Sequence, residues 1–138
     1  MSTPLQLPDG FLEKLLESAS GTFWELLGCE LHEAGVGYVK VTMEAEKRHL
    51  NTIGILHGGV HASLLDNAMG LAAMFARPGI KIVTTNLNMH YLVPLELGLV
   101  TVTGTIIHQS RSIITTQGEI RDAEGRLGSW GTGSYKVQ

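Results

Sequence analysis

His57-Gly58-Gly59-Val60-His61-Ala62-Ser63-Leu64-Leu65-Asp66-Asn67-Ala68-Met69-Gly70-Leu71-Ala72-Ala73-Met74-Phe75-Ala76 is the stretch on which the reading of this chain turns. Asp66 is the only formally charged side chain between Arg48 and Arg77. Apolar residues lie nearly all the way round a helical projection, so the stretch reads as a buried helix from about Gly58 to about Ala76. Arg77-Pro78-Gly79 stops it. A carboxylate is almost never fully buried without a partner or a task. Ahead of Asp66, the His-Gly-Gly turn places backbone donors where they could hold a developing oxyanion. A lone acid on a glycine-opened helix points to hydrolysis of an acyl group.

Outward from that helix, the N-terminal side is short and mixed. Pro8-Asp9 opens a helix over Gly10–Ser18 with Asp9 as its N-cap, and Phe11, Leu12, Leu15 and Leu16 form one apolar face. Gly21 breaks it, and residues 23–27 form another turn. A strand pair follows, Cys29–Glu33 and Val36–Ala45, the second with Val39, Val41 and Met43 alternating with polar neighbours. After the helix, four strands are expected at Lys81–Val93, Leu99–His108, Ser112–Asp122 and Leu127–Val137. There are no repeats or linkers, so residues 1–138 read as one domain with a helical segment at 1–25. One long helix and about six antiparallel strands give an α+β fold, a curved sheet wrapped around the helix with an additional N-terminal helix.

Composition narrows the function. The chain has 138 residues, enough for one real core. Its formal net charge of -3 gives no reason to expect nucleic acid or an anionic membrane as partner. A polyanionic substrate would need a local basic cluster. Cys29 is the only cysteine, so no intrachain disulfide is possible. The start, Met1 to Gly10, lacks a basic n-region and an apolar h-region. Asp66, two histidines and four glycines interrupt the longest uncharged run, so no transmembrane span is expected. A cytoplasmic protein follows.

Spacing adds a geometric argument. Gly58 and Asp66 are eight residues apart, which on one helix is ~12 Å of rise. A water nucleophile and an oxyanion donor must both lie ~3 Å from one carbonyl, on opposite sides. One subunit cannot easily supply both. Two antiparallel copies of the helix about a two-fold axis could, with Gly58 of one chain meeting Asp66 of the other. Asp66 would then act as general base on water, or attack the carbonyl directly. The Gly58 amide, at the helix N-terminus, would donate to the carbonyl oxygen. His57 and Asn51 would shape the pocket from the loop. A thioester suits so spare a site, because a thiolate leaves with little help.

Other residues read more plainly. His57 and His61 have i, i+4 spacing but no third ligand nearby, so no metal is expected. His61 reads as a hydrogen-bonded packing residue and Cys29 as an inert hydrophobe. Ser63 lacks a nucleophile-elbow context. Asp66 as a structural interface acid is the bland alternative.

The segment Asn51-Thr52-Ile53-Gly54-Ile55-Leu56-His57-Gly58-Gly59, followed by Leu64-Leu65-Asp66, resembles the hotdog-fold acyl-CoA thioesterases, in particular the phenylacetate-degradation (PaaI-like) branch. The likeness extends through residues 83–94 and the stretch Asp122-Ala123-Glu124-Gly125-Arg126-Leu127, covering roughly Leu26 to Val137. It implies a hotdog fold, two protomers sharing one continuous sheet, and often a dimer of dimers. It implies that Gly58 polarises the thioester carbonyl while Asp66 of the other subunit drives hydrolysis. Asn51 and His57 would help place water and substrate, and the hydroxyl of Thr84 would assist the acid. Gly59, Asn86, Tyr91, His108, Gln109, Ser110, Arg111, Ser112 and Ile113 would contact the substrate. Ser110 stands where the family often has Gly before a basic residue, and Asn86 where relatives frequently carry Asp.

The function so implied is hydrolysis of a medium-size or aromatic acyl-CoA to free acid and CoA by a homodimer that pairs into a homotetramer, a dimer of dimers, needing no cofactor. Two other classes remain open: a non-catalytic acyl-CoA binding protein, and a hotdog dehydratase or hydratase, which would need a His–acid pair.

Overall fold

The computed structural model describes residues 4–138. Three helices, α1 (Phe11–Ser18), α2 (Phe23–Leu27) and α3 (Gly58–Ala76), accompany six strands. These are β1 (Glu30–Gly35), β2 (Tyr38–Ala45), β3 (Ile82–Tyr91), β4 (Gly98–Gln109), β5 (Ile113–Asp122) and β6 (Leu127–Val137). All neighbours are antiparallel, in the order β1-β2-β4-β5-β6-β3. The sheet curves around α3, as the hotdog reading expected. Met1 to Thr3, part of the stretch read for a leader, lie outside the described residues. Among the described residues no helix is long and apolar enough to cross a membrane.

Alternation in the strands decides which face meets the helix. Ile114, Thr116, Gly118 and Ile120 are buried, while their odd-numbered neighbours are not. Leu64, Leu65, Ala68, Met69, Ala72 and Phe75 of α3 pack down onto that face. Close approach needs room for the helix backbone. Gly104, Gly118 and Gly131 lie in one cross-strand row over β4, β5 and β6. A Cβ on Gly104 would sit 2.6–2.7 Å from backbone atoms of Ala68 and Met69. A Cβ on Gly118 would sit 2.6 Å from the Leu65 side chain. The absence of side chains at these two positions lets α3 settle into the sheet.

Two local expectations are corrected. Asp9 does not cap α1: the N-cap is Gly10, in a left-handed conformation, with no side-chain cap bond. Nor is α3 buried all round. Ser63, Asp66, Asn67, Gly70 and Met74 form a stripe that is only half-buried. Apolar composition could not reveal that stripe, because its small and apolar members resemble those of the packed face.

Candidate active site

Asp66 stands on the half-buried stripe of α3, facing strand β3. Its Oδ1 accepts two hydrogen bonds, from Thr84 Oγ1 at 2.9 Å and from the Tyr135 hydroxyl at 2.8 Å. Tyr135 is almost fully buried on β6 and sits opposite Thr84 in the sheet register. Burial, and then the nearby Asp66 charge, pushes the Tyr135 hydroxyl above its ordinary range, so it stays protonated and donates. Among the described residues Oδ2 of Asp66 has no partner. One carboxylate oxygen is thus held by two hydroxyls and the other is left available. Next to it opens a cavity of about 310 Å3, lined largely by apolar side chains.

A second group forms at the start of α3. His57 is the N-cap, and its Nδ1 accepts from the Gly59 amide at 2.7 Å. In the neutral ring this leaves the proton on Nε2. The carbonyl of His57 takes the amides of Val60 and His61. The Gly58 amide is left with no acceptor among the described residues, pointing out of the positive end of the helix. The Tyr91 hydroxyl donates to the Gly58 carbonyl at 2.8 Å. Asn51 Oδ1 accepts from the amides of Ile53 and Ile55. That oxygen therefore closes the loop 51–55, and only the side-chain NH2 remains for a ligand. Asn51, Gly58, His61 and Tyr91 line one cavity of about 340 Å3. A half-held carboxylate and an unpaired helix-terminal amide are the two components of acyl hydrolysis.

The Thioesterase superfamily model matches residues 53–129. The chain belongs to the thioesterase superfamily. Human acyl-coenzyme A thioesterase 13 is 32% identical over 99 residues, 70% of this chain and 71% of that protein. A thioesterase of Haemophilus influenzae superposes with a TM-score of 0.86 at 30% identity, covering 92% of this chain and 90% of that one. The phenylacetic acid degradation protein PaaI of Thermus thermophilus gives a TM-score of 0.78 at 30% identity, covering 84% and 98%.

Within this thioesterase the expected site residues do not all meet in one chain. The Asn51–Tyr91 group stands at one end of α3 and the Asp66–Thr84–Tyr135 group midway along it. The segment His108–Ile113 is at the other end, on a helix ~28 Å long. Ser110, Arg111 and Ser112 form the β4–β5 turn, directly after Gln109 at the end of β4. Arg77, at the C-cap of α3, holds it through Gln109 Oε1 at 3.1 Å, the Ser110 carbonyl at 2.7 Å and the Arg111 carbonyl at 3.4 Å. The Ser110 hydroxyl and amide close the turn on Ile113. Arg111 itself forms no ion pair among the described residues.

Asn86 is turned away from Asp66. A β-bulge between Thr84 and Asn86 pairs Thr84 with Tyr135 but Asn86 with Ser134. Cross-strand partners share a face, so Thr84 looks at the helix and Asn86 at the outer side of the sheet. Strict alternation would have put both on one face. Of the two histidines, His61 is buried against Ser129 Oγ at 2.7 Å, apart from the capping role of His57. Among the described residues no three His, Cys, Asp or Glu side chains are grouped as metal ligands. Ser63 donates to the Gly59 carbonyl at 2.8 Å. Buried Cys29 accepts weakly from Asn67, and burial raises its thiol pKa.

Sequence reasoning missed Tyr135 and Arg77. A tyrosine on the last strand carries no short-range signal. An arginine one residue past a helix reads only as a terminator. On α3, Met69 and Ala73 are fully buried against the sheet, and Gly70, Leu71 and Met74 line the cavity.

Proposed function

We propose that this thioesterase hydrolyses a medium-size or aromatic acyl-CoA to free acid and CoA, at sites shared between two protomers. The observation that carries the reading is the division of Asp66: Oδ1 held by Thr84 and Tyr135, Oδ2 free beside an apolar cavity. Oδ2 takes a proton from water as the water oxygen adds to the thioester carbonyl carbon. The carbonyl oxygen becomes an oxyanion held by the Gly58 amide of the opposing chain. The tetrahedral centre then collapses, the C–S bond breaks with its electrons on sulfur, and the thiolate of CoA leaves. His57 Nε2–H and the Asn51 NH2 complete the polar wall on the carbonyl side.

Sharing between protomers is supported by the separation of Gly58 and Asp66 along one helix and by the position of Thr84 on β3. Among the described residues that strand is a sheet edge paired only with β6, and its residues are largely exposed. A second β3 pairing there would bring a second α3 alongside the first. The dehydratase alternative is weakened because His57 Nδ1 is committed to Gly59.

The decisive experiment is release of free thiol from aliphatic and aromatic acyl-CoAs by the wild type and Asp66→Asn. The amide keeps the shape and cannot take the proton, so release falls by about 10²–10⁴-fold while the fold survives. Equal release by the two proteins would sink the assignment of Asp66. Binding of acyl-CoA without release by either would point to a sensor.

A further inference from the structure

The cavity beside Asp66 has an unexpected far wall. One side is α3 and β3, with Gly70, Met74 and Thr84. The opposite side is the N-terminal segment: Leu15 and Leu16 of α1, and Trp24 of α2. From these positions we infer that the N-terminal helices set the length and bulk of the acyl group that this enzyme accepts, with Leu16 and Trp24 as the stop. The inference rests on the acyl-thioester reading of the same site.

Between the amphipathic α1 and the α3–β3 side a cleft of about 310 Å3 stays open. A cavity of about 150 Å3 lined by aliphatic side chains takes up benzene, so twice that volume suits an aryl-acyl or medium aliphatic chain. The lining is apolar apart from a few polar groups, and the reactive ones, Asp66 and Thr84, stand on the α3–β3 side. That asymmetry fits a ligand with a polar reacting end and an apolar tail.

Two details show that the space is kept open. Gly70 is helical, and a Cβ there would meet only Tyr135 Cε1 at 3.5 Å, an ordinary contact. Packing therefore does not demand glycine at 70, and its missing side chain leaves volume to the cavity. On the other wall, α1 contributes no fully buried side chain and Leu16 remains 46% exposed. Its aromatic anchor is at its start, where Phe11 meets Phe75 edge-on with centroids 6.2 Å apart. Phe11 and Leu15 of the apolar face of α1 pack against the core, while Leu16 is left over the cavity.

The test is the acyl-length profile of kcat/KM for wild type, Leu16→Ala, Trp24→Ala and Gly70→Val. Leu16→Ala and Trp24→Ala should shift the optimum to longer acyl groups, raising the ratio of long-chain to short-chain kcat/KM by about tenfold. Gly70→Val should move the optimum to shorter groups. An unmoved profile in all three, in an enzyme that still needs Asp66, overturns the inference and spares the proposed function. If the wild type releases no thiol, the proposed function fails, and the cavity is read separately. In Trp130→Phe, Trp24 is the sole tryptophan; a saturated medium-chain fatty acid should change its emission, with CoA alone inert. No change with the fatty acid overturns the inference.

Discussion

Tyr135 reaches 69 residues back along the chain to donate its hydroxyl to Asp66 Oδ1 at 2.8 Å. The bond joins the last strand to the middle of α3 and makes the orientation of the carboxylate a property of the whole sheet. Thr84 adds a second donor to the same oxygen. The two together leave one oxygen for chemistry and prevent the carboxylate from turning.

Tyr135→Phe should therefore lower kcat and leave KM nearly unchanged, because the phenol touches the acid and not the ester. Loss of one hydrogen bond to a charged group is worth about 1.5–3 kcal/mol, of which Thr84 retains a part, so a fall of about tenfold is expected. A second signature is alkaline. The folded hydroxyl is shifted above its ordinary value of 10.0 by burial and by Asp66. The unfolded chain therefore releases its proton first, and the stability Tyr135 contributes is complete below pH 10 and lost above it. Thermal melts above pH 10 should drop less steeply in Tyr135→Phe than in wild type. Unchanged kcat with parallel melts would remove Tyr135 from the site.

His61 gives the opposite dependence. Burial lowers it from 6.5 to about 4. As pH falls, the unfolded chain takes up a proton that the folded chain refuses. This group's contribution is thus full above pH 6.5 and is lost as pH falls towards 4. The thermal midpoint of wild type should decline across that interval, and His61→Asn, which can still meet Ser129, should decline less. Superimposable slopes would assign acid sensitivity elsewhere.

Gly104→Ala should destabilise the fold without touching the chemistry. The added methyl would press on the backbone of Ala68 and Met69, which cannot rotate away as a side chain can. Overpacking of this kind costs about 1–3 kcal/mol. Denaturant titration should show a lower midpoint. An unaltered midpoint would mean that the contact of α3 with the sheet is looser than the structure describes.

Mixed dimers test whether sites are shared. One chain carries Asp66→Asn and the other Gly58→Pro, which removes the amide donor at a helix position that tolerates proline. Each homodimer should be inert. The mixed dimer should regain activity, because one of its two sites then combines an intact Gly58 with an intact Asp66. Failure to regain any activity would argue for sites within single chains.

Local chemistry made much of this legible in advance. The bounds of α3, Gly58–Ala76, follow from a His-Gly-Gly opening and an Arg-Pro-Gly stop, and the structure has them there. The last strand, Leu127–Val137, likewise begins after a turn motif and ends where expected. Asp66 was visible because charge is conspicuous in an apolar run. The cap of α1 is not legible in the same way, because Asp9 and Gly10 are both plausible helix starters and only the backbone angles separate them.

By itself, then, the sequence determined the elements and their antiparallel α+β arrangement, and it singled out Asp66 and Gly58, to which the proposed function assigns hydrolysis. These are encoded by neighbours within a few residues, through periodicity, capping and turn chemistry. Only the tertiary structure decided which groups hold Asp66, which face Asn86 takes, how Arg77 fixes the β4–β5 turn, and that α1 stands over the cavity. Each of those depends on groups far apart in the chain, or on a one-residue bulge that reverses a face. Neither leaves a mark in local composition.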